Sequence, residues 1–249
     1  MISISGLSKN YNQEVQALKT VNLNIKSGEF VVLLGQSGAG KSTLLRCINR
    51  LVEPSEGEVS FNGVLLNNTK NIKHLRQKTG MIFQHYNLVK RLTVLQNVLC
   101  GRLAFNNTLS TCLKFFPQKD VELALACIER VGLSDKTYVR TDQLSGGQQQ
   151  RVGIARALVQ QPQIVLADEP VASLDPYSAE MVMEILQEIN NKDGITMVVS
   201  LHNVQLARKY AHRVIGIREG RILFDKPVDR IQEIDIDLTY GGTQDTCEH

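Results

Sequence analysis

Apolar positions along the chain recur with two different spacings, one typical of strands and one typical of helices. Residues 21–30 alternate between apolar and polar side chains, which predicts a strand with one buried face. Residues 30–35 are apolar up to a final glycine, which predicts a central parallel strand buried on both faces. Residues 57–66 contain Asn62-Gly63, a pair that favours a tight hairpin turn. These patterns predict a small antiparallel β subdomain near the N-terminus, beside the start of a parallel sheet.

Helical spacing dominates the middle of the chain. From about residue 84 to residue 160 no strand pattern occurs, and residues 94–103 and 119–133 have the apolar spacing of helices. This stretch therefore predicts a helical insertion within an α/β fold. Strand patterns return afterwards, at 163–168, 195–201, 213–220 and 221–225.

Length and composition fit one globular domain. The chain has 249 residues, of which 43% are hydrophobic and 21% are charged, values that are ordinary for a folded protein. We expect a single domain over residues 1–249, with a helical subdomain at about 85–160 and a C-terminal tail at 226–249. The end of that tail is polar, and we expect it to be poorly ordered.

Charge and cysteine usage exclude several classes of protein. The 28 basic and 25 acidic residues are interspersed, so we expect no nucleic-acid partner. The apolar runs are too short to span a bilayer, and the N-terminus lacks the layout of a signal peptide. We therefore expect a soluble, intracellular chain. No C-x-x-C pair occurs among its five cysteines, which predicts reduced thiols rather than disulfides or zinc at Cys47, Cys100, Cys112, Cys127 and Cys247.

A phosphate-binding loop follows the buried strand and opens a helix. Gly35, four further residues, Gly40, Lys41 and Ser42 match the P-loop pattern in the strand-to-helix context that this motif requires. Glycines allow the backbone N–H groups to surround a phosphate, Lys41 reaches the β- and γ-phosphates, and the Ser42 hydroxyl faces Mg²⁺. The alternative is a chance glycine-rich turn. The expected contacts are Gly35, Gln36, Ser37, Gly38, Ala39, Gly40, Lys41, Ser42 and Thr43.

Two carboxylates end a second buried strand. Residues 163–168 run from apolar positions into Asp168, which Glu169 follows. Open α/β sheets bind ligands at the carboxyl ends of their strands. We therefore expect Asp168 to hold Mg²⁺ through water and Glu169 to polarise an attacking water. The alternative is an acidic surface turn that ends at Pro170.

A Ser-Gly-Gly turn opens a further predicted helix, with no catalytic side chain beside it in sequence. Ser145, Gly146, Gly147 and Gln148 begin this helix, and bare N–H groups at a helix N-terminus suit an anion. An ordinary N-cap by Ser145 is the alternative.

The order of these motifs resembles that of the ABC-type ATPases. A P-loop, Leu-Ser-Gly-Gly-Gln, Asp-Glu and a downstream histidine follow one another, and the resemblance covers about residues 2–225. It implies a P-loop NTPase core, the ABC-type nucleotide-binding domain, with an N-terminal antiparallel β subdomain and a helical insertion. It also implies a second copy of the chain, packed head to tail. Each ATP would then lie between the P-loop of one copy and the Ser145 turn of the other.

The resemblance implies roles for four more residues. Tyr11 would stack on adenine, Gln84 would sense Mg²⁺ and the attacking water, Asp175 would organise the facing site, and His202 would contact the γ-phosphate. The alternatives are a turn tyrosine, a loop amide, a helix N-cap and a structural histidine. Together with Glu169, Gln84 and His202 form the expected catalytic set. The expected Mg²⁺ ligands are Ser42, Gln84 and Asp168.

A narrower resemblance concerns transport. Residues 42–59, 80–103, 168–176 and 200–225 are similar to the ATP-binding subunit of bacterial phosphonate importers. This implies an ATP-hydrolysing subunit, peripheral to the cytoplasmic face of the inner membrane. Its partners would be membrane permease subunits and, indirectly, a periplasmic substrate-binding protein. The segment after Gln84 would form part of the groove for a permease helix, or would simply pack on the core. Import of phosphite, phosphate or polar amino acids, export, and a soluble ABC ATPase outside transport remain open alternatives.

Overall fold

A computed structural model describes residues 1–11, 15–106 and 116–241 of the chain. Its strands form two sheets. The smaller sheet is antiparallel, in the order β2-β1-β4-β5, and contains β1 (Ile2–Asn10), β2 (Gln16–Ile25), β4 (Glu56–Phe61) and β5 (Val64–Leu65).

The larger sheet has six strands in the order β10-β9-β3-β8-β7-β6. All its pairings are parallel except the pairing of the edge strand β10 with β9. The strands are β3 (Phe30–Leu34), β6 (Thr79–Ile82), β7 (Ile164–Asp168), β8 (Thr196–Leu201), β9 (Arg213–Arg218) and β10 (Arg221–Pro227).

Helices cover the larger sheet on both sides. Short 3₁₀ turns at Cys100–Phe105, Ser134–Lys136, Thr141–Gln143 and Val228–Arg230 connect some of them. The α-helices are α1 (Lys41–Ile48), α2 (Thr69–Lys78), α3 (Val94–Leu99), α4 (Gln118–Arg130), α5 (Gly146–Leu158), α6 (Pro176–Asp193), α7 (Val204–Tyr210) and α8 (Glu233–Tyr240).

Two hydrophobic cores lie on opposite sides of the six-stranded sheet. Phe30, Val32 and Leu34 of β3 belong to the core that α3–α7 cover. Val31 and Leu33 point the other way, into the core shared with α1 and the antiparallel sheet. Side chains alternate between the faces of a strand, so an uninterrupted apolar run is what a strand between two cores requires.

The structure confirms the α/β class and adds two strands that the hydrophobic pattern did not indicate. β1 lies at the centre of the antiparallel sheet, and β6 pairs with β7 at the edge of the parallel one. β6 is only four residues long, and its sequence includes a glycine and a threonine. Its pairing partner β7 lies about 80 residues later in the chain, so periodicity in a short window does not reveal it.

Part of the expected tail is structured. β10 extends to Pro227, and α8 packs on β9 and β10. Val228, Ile231 and Ile236 are half-buried against the larger core, which explains why the chain folds back here. Residues 242–249, the polar end to which the expectation of poor order applied, lie outside the described residues.

Among the helices of the described ranges, none is both long enough and apolar enough to cross a bilayer.

Candidate functional site

The predicted P-loop connects β3 to α1, and its glycines are required by backbone conformation and close contact. Gly38 and Gly40 have φ values of +80° and +107°, in the region that L side chains rarely adopt. A Cβ atom on Gly35 would lie 2.2 Å from the carbonyl oxygen of Ile217, and one on Gly40 would lie 2.6 Å from that of Ala17. These positions therefore exclude larger residues, and the loop curls tightly around the N-terminus of α1.

Lys41 lies beneath this loop, with only 3% of its surface exposed. Its Nζ donates hydrogen bonds to the carbonyl oxygens of Gly35 and Gln36, at 2.8 Å and 2.9 Å. The same Nζ is 3.7 Å from Oε1 of Glu169. Burial lowers the pKa of Lys41, and the nearby carboxylates of Glu169 and Asp168 oppose that shift. The Lys41 ammonium thus contacts two carbonyl groups, one carboxylate and, at 3.4 Å, Nδ1 of His202.

Asp168 ends β7 and is held from three sides. Ser42 Oγ donates a hydrogen bond to Oδ1 at 2.7 Å, and Ser200 Oγ donates to the same oxygen at 3.2 Å. Arg46 lies 3.6 Å from Oδ2. Ser42 and Asp168, two of the expected Mg²⁺ ligands, are thus in contact although they are 126 residues apart. Hydroxyl and carboxylate oxygens are the donors that Mg²⁺ prefers, so this pair fits the expected metal ligands.

Glu169 adopts a backbone conformation that is uncommon for its residue type. Its φ is +49°, in the left-handed region, and its N–H donates a hydrogen bond of 2.8 Å to Ser200 Oγ. The Glu169 carboxylate forms a short hydrogen bond with Nε2 of His202. Nδ1 of His202 lies 3.0 Å from the carbonyl oxygen of Gly35. The expected base and the expected γ-phosphate contact are therefore adjacent to each other and to the P-loop.

Sequence reasoning missed Ser200 and Arg46. Ser200 is fully buried in β8 and pairs directly with Asp168 across the sheet. Its hydroxyl connects to both acidic residues, to the side chain of Asp168 and to the backbone of Glu169. A serine within the apolar run of residues 197–201 was the available signal. Arg46 offered no such signal, because its approach to Asp168 depends on how α1 packs against β7.

Gln84 and Tyr11 border the P-loop from different directions. Gln84, just beyond β6, lines a cavity of about 230 Å³ together with Glu169 and the P-loop from Ser37 to Thr43. The Tyr11 hydroxyl is 3.4 Å from Oγ1 of Thr43, and 47% of the Tyr11 surface is exposed. Both residues are thus near the place where the sequence predicts them to act, and their roles stay predictions.

Ser145 caps α5, which is the alternative that the sequence left open. Its Oγ accepts a hydrogen bond from the N–H of Gln148, whose side chain accepts one from the N–H of Ser145. The first N–H groups of a helix have no partners within the helix, so the turn can also present donors to an anion. Within the described part of the chain, residues 145–148 do not line the cavity beside the P-loop.

The glycines of this turn permit close contacts with neighbouring elements. A Cβ on Gly146 would lie 2.9 Å from the Tyr86 hydroxyl, and one on Gly147 would lie 2.8 Å from Ser178 Oγ. Asp175 caps α6 by accepting a hydrogen bond from the N–H of Ser178, at 3.0 Å. The N-termini of α5 and α6 therefore meet at Ser178. Asp175 is an N-cap in this structure, and its part in a facing site stays a prediction.

A second groove lies on the other side of Gln84. It measures about 410 Å³ and is bordered by Gln84, His85, Tyr86, Asn87, Leu88, Lys90, Gln149 and Ser173. Tyr86 and Asn87 have left-handed φ values of 53° and 49°. Arg156 holds this strained turn, because its guanidinium donates hydrogen bonds to both of their carbonyl oxygens, at 2.8 Å and 2.6 Å. Gln84 is the residue that borders both the P-loop cavity and this groove.

Comparisons with known proteins place the chain among close relatives. The family model described as ABC transporter matches residues 18–172. The phosphonates import ATP-binding protein PhnC 2 of Oceanobacillus iheyensis is 50% identical over 246 residues, which cover 98% of this chain and 97% of that protein. The phosphonates import ATP-binding protein PhnC of Shouchella clausii is 51% identical over 243 residues, which cover 97% and 91%.

Solved structures agree with these sequence matches. A dimeric, post-hydrolysis structure of the ATP-binding cassette MJ0796 with ADP and Pi has a TM-score of 0.80 and 37% identity, and the match covers 92% of this chain and 99% of that one. The structure of cbiO1 from Clostridium perfringens, part of the ABC transporter complex cbiONQ, has a TM-score of 0.82 and 30% identity, covering 96% and 91%. The fold predicted from the motifs is thereby confirmed.

Proposed function

Since the chain belongs to the ABC transporter family, we propose that it is the ATP-hydrolysing subunit of a phosphonate importer. One structural observation carries the enzymatic part of the proposal. Lys41, Glu169 and His202 come from three separate segments and meet beside a P-loop. The cargo is proposed from the near-full-length relatives that are named for phosphonate import.

ATP binding would use groups that are already in position. The backbone N–H groups of the P-loop and the N-terminus of α1 attract the phosphates. Lys41 Nζ donates hydrogen bonds to two carbonyl groups in this structure. With ATP bound, it would donate hydrogen bonds to the β- and γ-phosphates. Tyr11 stands beside Thr43 at the end of the loop and would stack on the base.

Mg²⁺ fits the oxygen donors of the site. Mg²⁺ is usually bound through one or two protein oxygens together with substrate phosphates and water. Ser42 would ligate it directly, Asp168 through water, and Gln84 from the side of the cavity. When bound, the ion would neutralise charge on the phosphate oxygens. No group of three or more His, Cys, Asp and Glu side chains that could hold a metal occurs in the described ranges.

Hydrolysis requires a water molecule in line with the γ-phosphate and a group that accepts its proton. Glu169 is proposed as the base, because it follows β7 directly and lines the P-loop cavity. His202 forms a hydrogen bond with that carboxylate and lies close to the Gly35 carbonyl, so it would keep the base aligned with the loop. Lys41 and the P-loop N–H groups would stabilise the charge that develops on the transferred phosphoryl group.

A second copy of the chain is proposed to complete each site. Residues 145–148 lie away from the P-loop cavity of their own chain, within the described ranges. A head-to-tail pair would bring the N-terminus of α5 of one copy to the γ-phosphate bound by the other. The dimeric MJ0796 structure, at 37% identity, supports this assembly.

The membrane partner is proposed to dock at the groove beyond Gln84. Gln84 borders both this groove and the nucleotide cavity, so a helix seated in the groove would bear on the site of hydrolysis. The chain would then lie on the cytoplasmic face of the inner membrane, bound to permease subunits. A periplasmic binding protein would select the cargo from the other side.

The proposal is tested by reconstituting the chain with its permease and binding protein in liposomes. ATP hydrolysis is followed while methylphosphonate, phosphite, phosphate or an amino acid is added on the side of the binding protein. We expect methylphosphonate to stimulate hydrolysis most, and a complex with Glu169→Gln to show no stimulation. Stimulation only by phosphite or phosphate would change the cargo. A complex that hydrolyses ATP without responding to any compound would contradict its role in import.

A further inference from the structure

The C-terminal helix α8 reaches the proposed catalytic site through its last residue. The hydroxyl of Tyr240 donates a hydrogen bond of 2.8 Å to the main-chain carbonyl oxygen of His202. The main-chain carbonyl of Tyr240 accepts a hydrogen bond from the Gln36 side chain, within the P-loop. One residue near the end of the described chain therefore contacts both the P-loop and the segment that carries the histidine.

This helix is fixed to the sheet beneath it. Lys226 in β10 forms an ion pair with Asp235, at 2.7 Å and 2.9 Å to its two carboxylate oxygens. Arg218 in β9 donates a hydrogen bond of 3.0 Å to the carbonyl oxygen of Leu238. Thr239 is fully buried over Gly216, where a Cβ atom would lie 2.7 Å from the threonine hydroxyl. The helix that carries Tyr240 is thus anchored to β9 and β10.

The segment that Tyr240 contacts is also anchored through its own side chains. His202 and Asn203 form the short connection between β8 and α7. Asn203 caps α7 by accepting a hydrogen bond from the N–H of Leu206, at 3.0 Å. The His202 ring is tied to Glu169 and lies near the Gly35 carbonyl. The Tyr240 hydroxyl contacts the backbone of this connection. It therefore helps to fix the position of the His202 main chain, from which the imidazole ring extends.

We propose that Tyr240 is a positioning residue for ATP hydrolysis, which holds the His202 backbone so that the imidazole meets the Glu169 carboxylate. Gln36 connects the same residue to the P-loop. The positions of His202 and of the P-loop therefore both depend on α8. Tyr240 contacts none of the reacting atoms and acts through His202. The inference rests on the proposed ATP hydrolysis and assigns a role to the C-terminal helix within it.

Tyr240→Phe tests the proposal, because it removes only the hydroxyl. Losing one hydrogen bond of this kind should lower kcat roughly three- to tenfold. The KM for ATP should change less than about twofold, since the phosphate contacts remain. Tyr138→Phe is the matched control, because Tyr138 is 76% exposed in the helical layer. A kcat within about 1.5-fold of the unaltered chain for Tyr240→Phe would overturn the proposal.

A second readout does not depend on turnover. In the nucleotide-free, full-length chain, amide hydrogen exchange at residues 203–206 should be roughly three- to tenfold faster in Tyr240→Phe, because the connection opens more readily. Unchanged exchange would overturn the positioning role. If the unaltered chain hydrolyses no ATP, the proposed function fails. The exchange measurement alone then decides whether the Tyr240 hydroxyl holds the His202 backbone in place.

A double-mutant cycle separates action through His202 from general loosening of the site. In a His202→Ala background, Tyr240→Phe should leave the residual kcat unchanged, because the ring it positions is already absent. The same fold-loss in both backgrounds would show that Tyr240 acts independently of His202 and would overturn the proposal. Equal melting temperatures of the unaltered chain and Tyr240→Phe would exclude a loss of fold as the cause.

Discussion

At the scale of single residues, the proposed base Glu169 has a strained backbone conformation, which one buried hydroxyl helps to hold. A non-glycine residue in a sparsely populated backbone region costs on the order of 1–3 kcal/mol and persists only where its surroundings hold it. Glu169, with φ at +49°, is held by the hydrogen bond from its N–H to Ser200. Because Ser200 also donates to Asp168, one hydroxyl sets the relative position of the two acids.

Replacing Glu169 by glutamine tests its assignment as the base. The amide keeps the size of the side chain but accepts no proton from water. Hydrolysis should therefore fall by roughly 10²–10⁴-fold, the usual contribution of a general base. ATP affinity should be retained, because the P-loop is unchanged. Single-turnover phosphate release and an equilibrium titration with labelled ATP measure the two quantities.

Glu184→Gln is the control, because it makes the same chemical change on the exposed side of α6, away from the site. It should leave the hydrolysis rate and the ATP affinity unaltered. Turnover retained in Glu169→Gln would contradict the assignment of the base.

At the scale of elements, the N-termini of α5 and α6 combine a structural task with a proposed functional one. The side chains of Ser145 and Asp175 each accept a hydrogen bond from a backbone N–H in the first turn of their helix. Ordinary capping explains these contacts without any ligand. The functional proposal adds that the first N–H groups of α5 face the phosphates of a partner chain. Substitutions that preserve the cap but change its charge separate the two tasks.

Ser145→Asp and Ser145→Ala should differ in both stability and activity. Alanine removes the cap and should lower the free energy of unfolding by about 1 kcal/mol. Aspartate also caps, and its charge suits the positive end of a helix, so its thermal stability should match that of the unaltered chain. Its added negative charge would face the phosphates of the partner site, so ATP turnover should drop. Thermal unfolding and ATP turnover are measured for both variants. Full turnover in Ser145→Asp would contradict a ligand role for this turn.

At the scale of the whole molecule, we propose that each nucleotide site is divided between two copies of the chain. The P-loop cavity lies beyond the carboxyl ends of β3, β6 and β7, whereas the turn at residues 145–148 lies outside its lining within the described ranges. Two copies related by a twofold axis would close two equivalent sites at once. ATP would then act as part of the interface, so the dimer should form only when nucleotide is bound.

Light scattering coupled to size exclusion tests this assembly in the Glu169→Gln background, where bound ATP persists. We expect a monomer without nucleotide and a dimer with ATP and Mg²⁺. Adding Ser145→Asp should prevent the dimer while each P-loop still binds ATP, because the new charge would oppose the partner's phosphates. A dimer whose formation does not depend on ATP, or one that survives Ser145→Asp, would contradict the shared site.

Local patterns determined much of the fold and most of the candidate site. The strand β3, the P-loop and the N-cap at Ser145 could be predicted because each depends on residues a few positions apart. The resemblance to ABC-type ATPases then supplied roles for Gln84 and His202, which neither periodicity nor composition indicates.

Tertiary structure alone decided the contacts between distant segments. The short strand β6 exists as a strand because β7 provides its hydrogen-bonding partner. Ser200 reaches both acids because the register of β7 and β8 places it opposite Asp168. Tyr240 meets His202, 38 residues earlier, because α8 packs across β9. Register and packing are set by the free energy of the whole fold, so a residue with no motif around it shows its role only once the chain has folded.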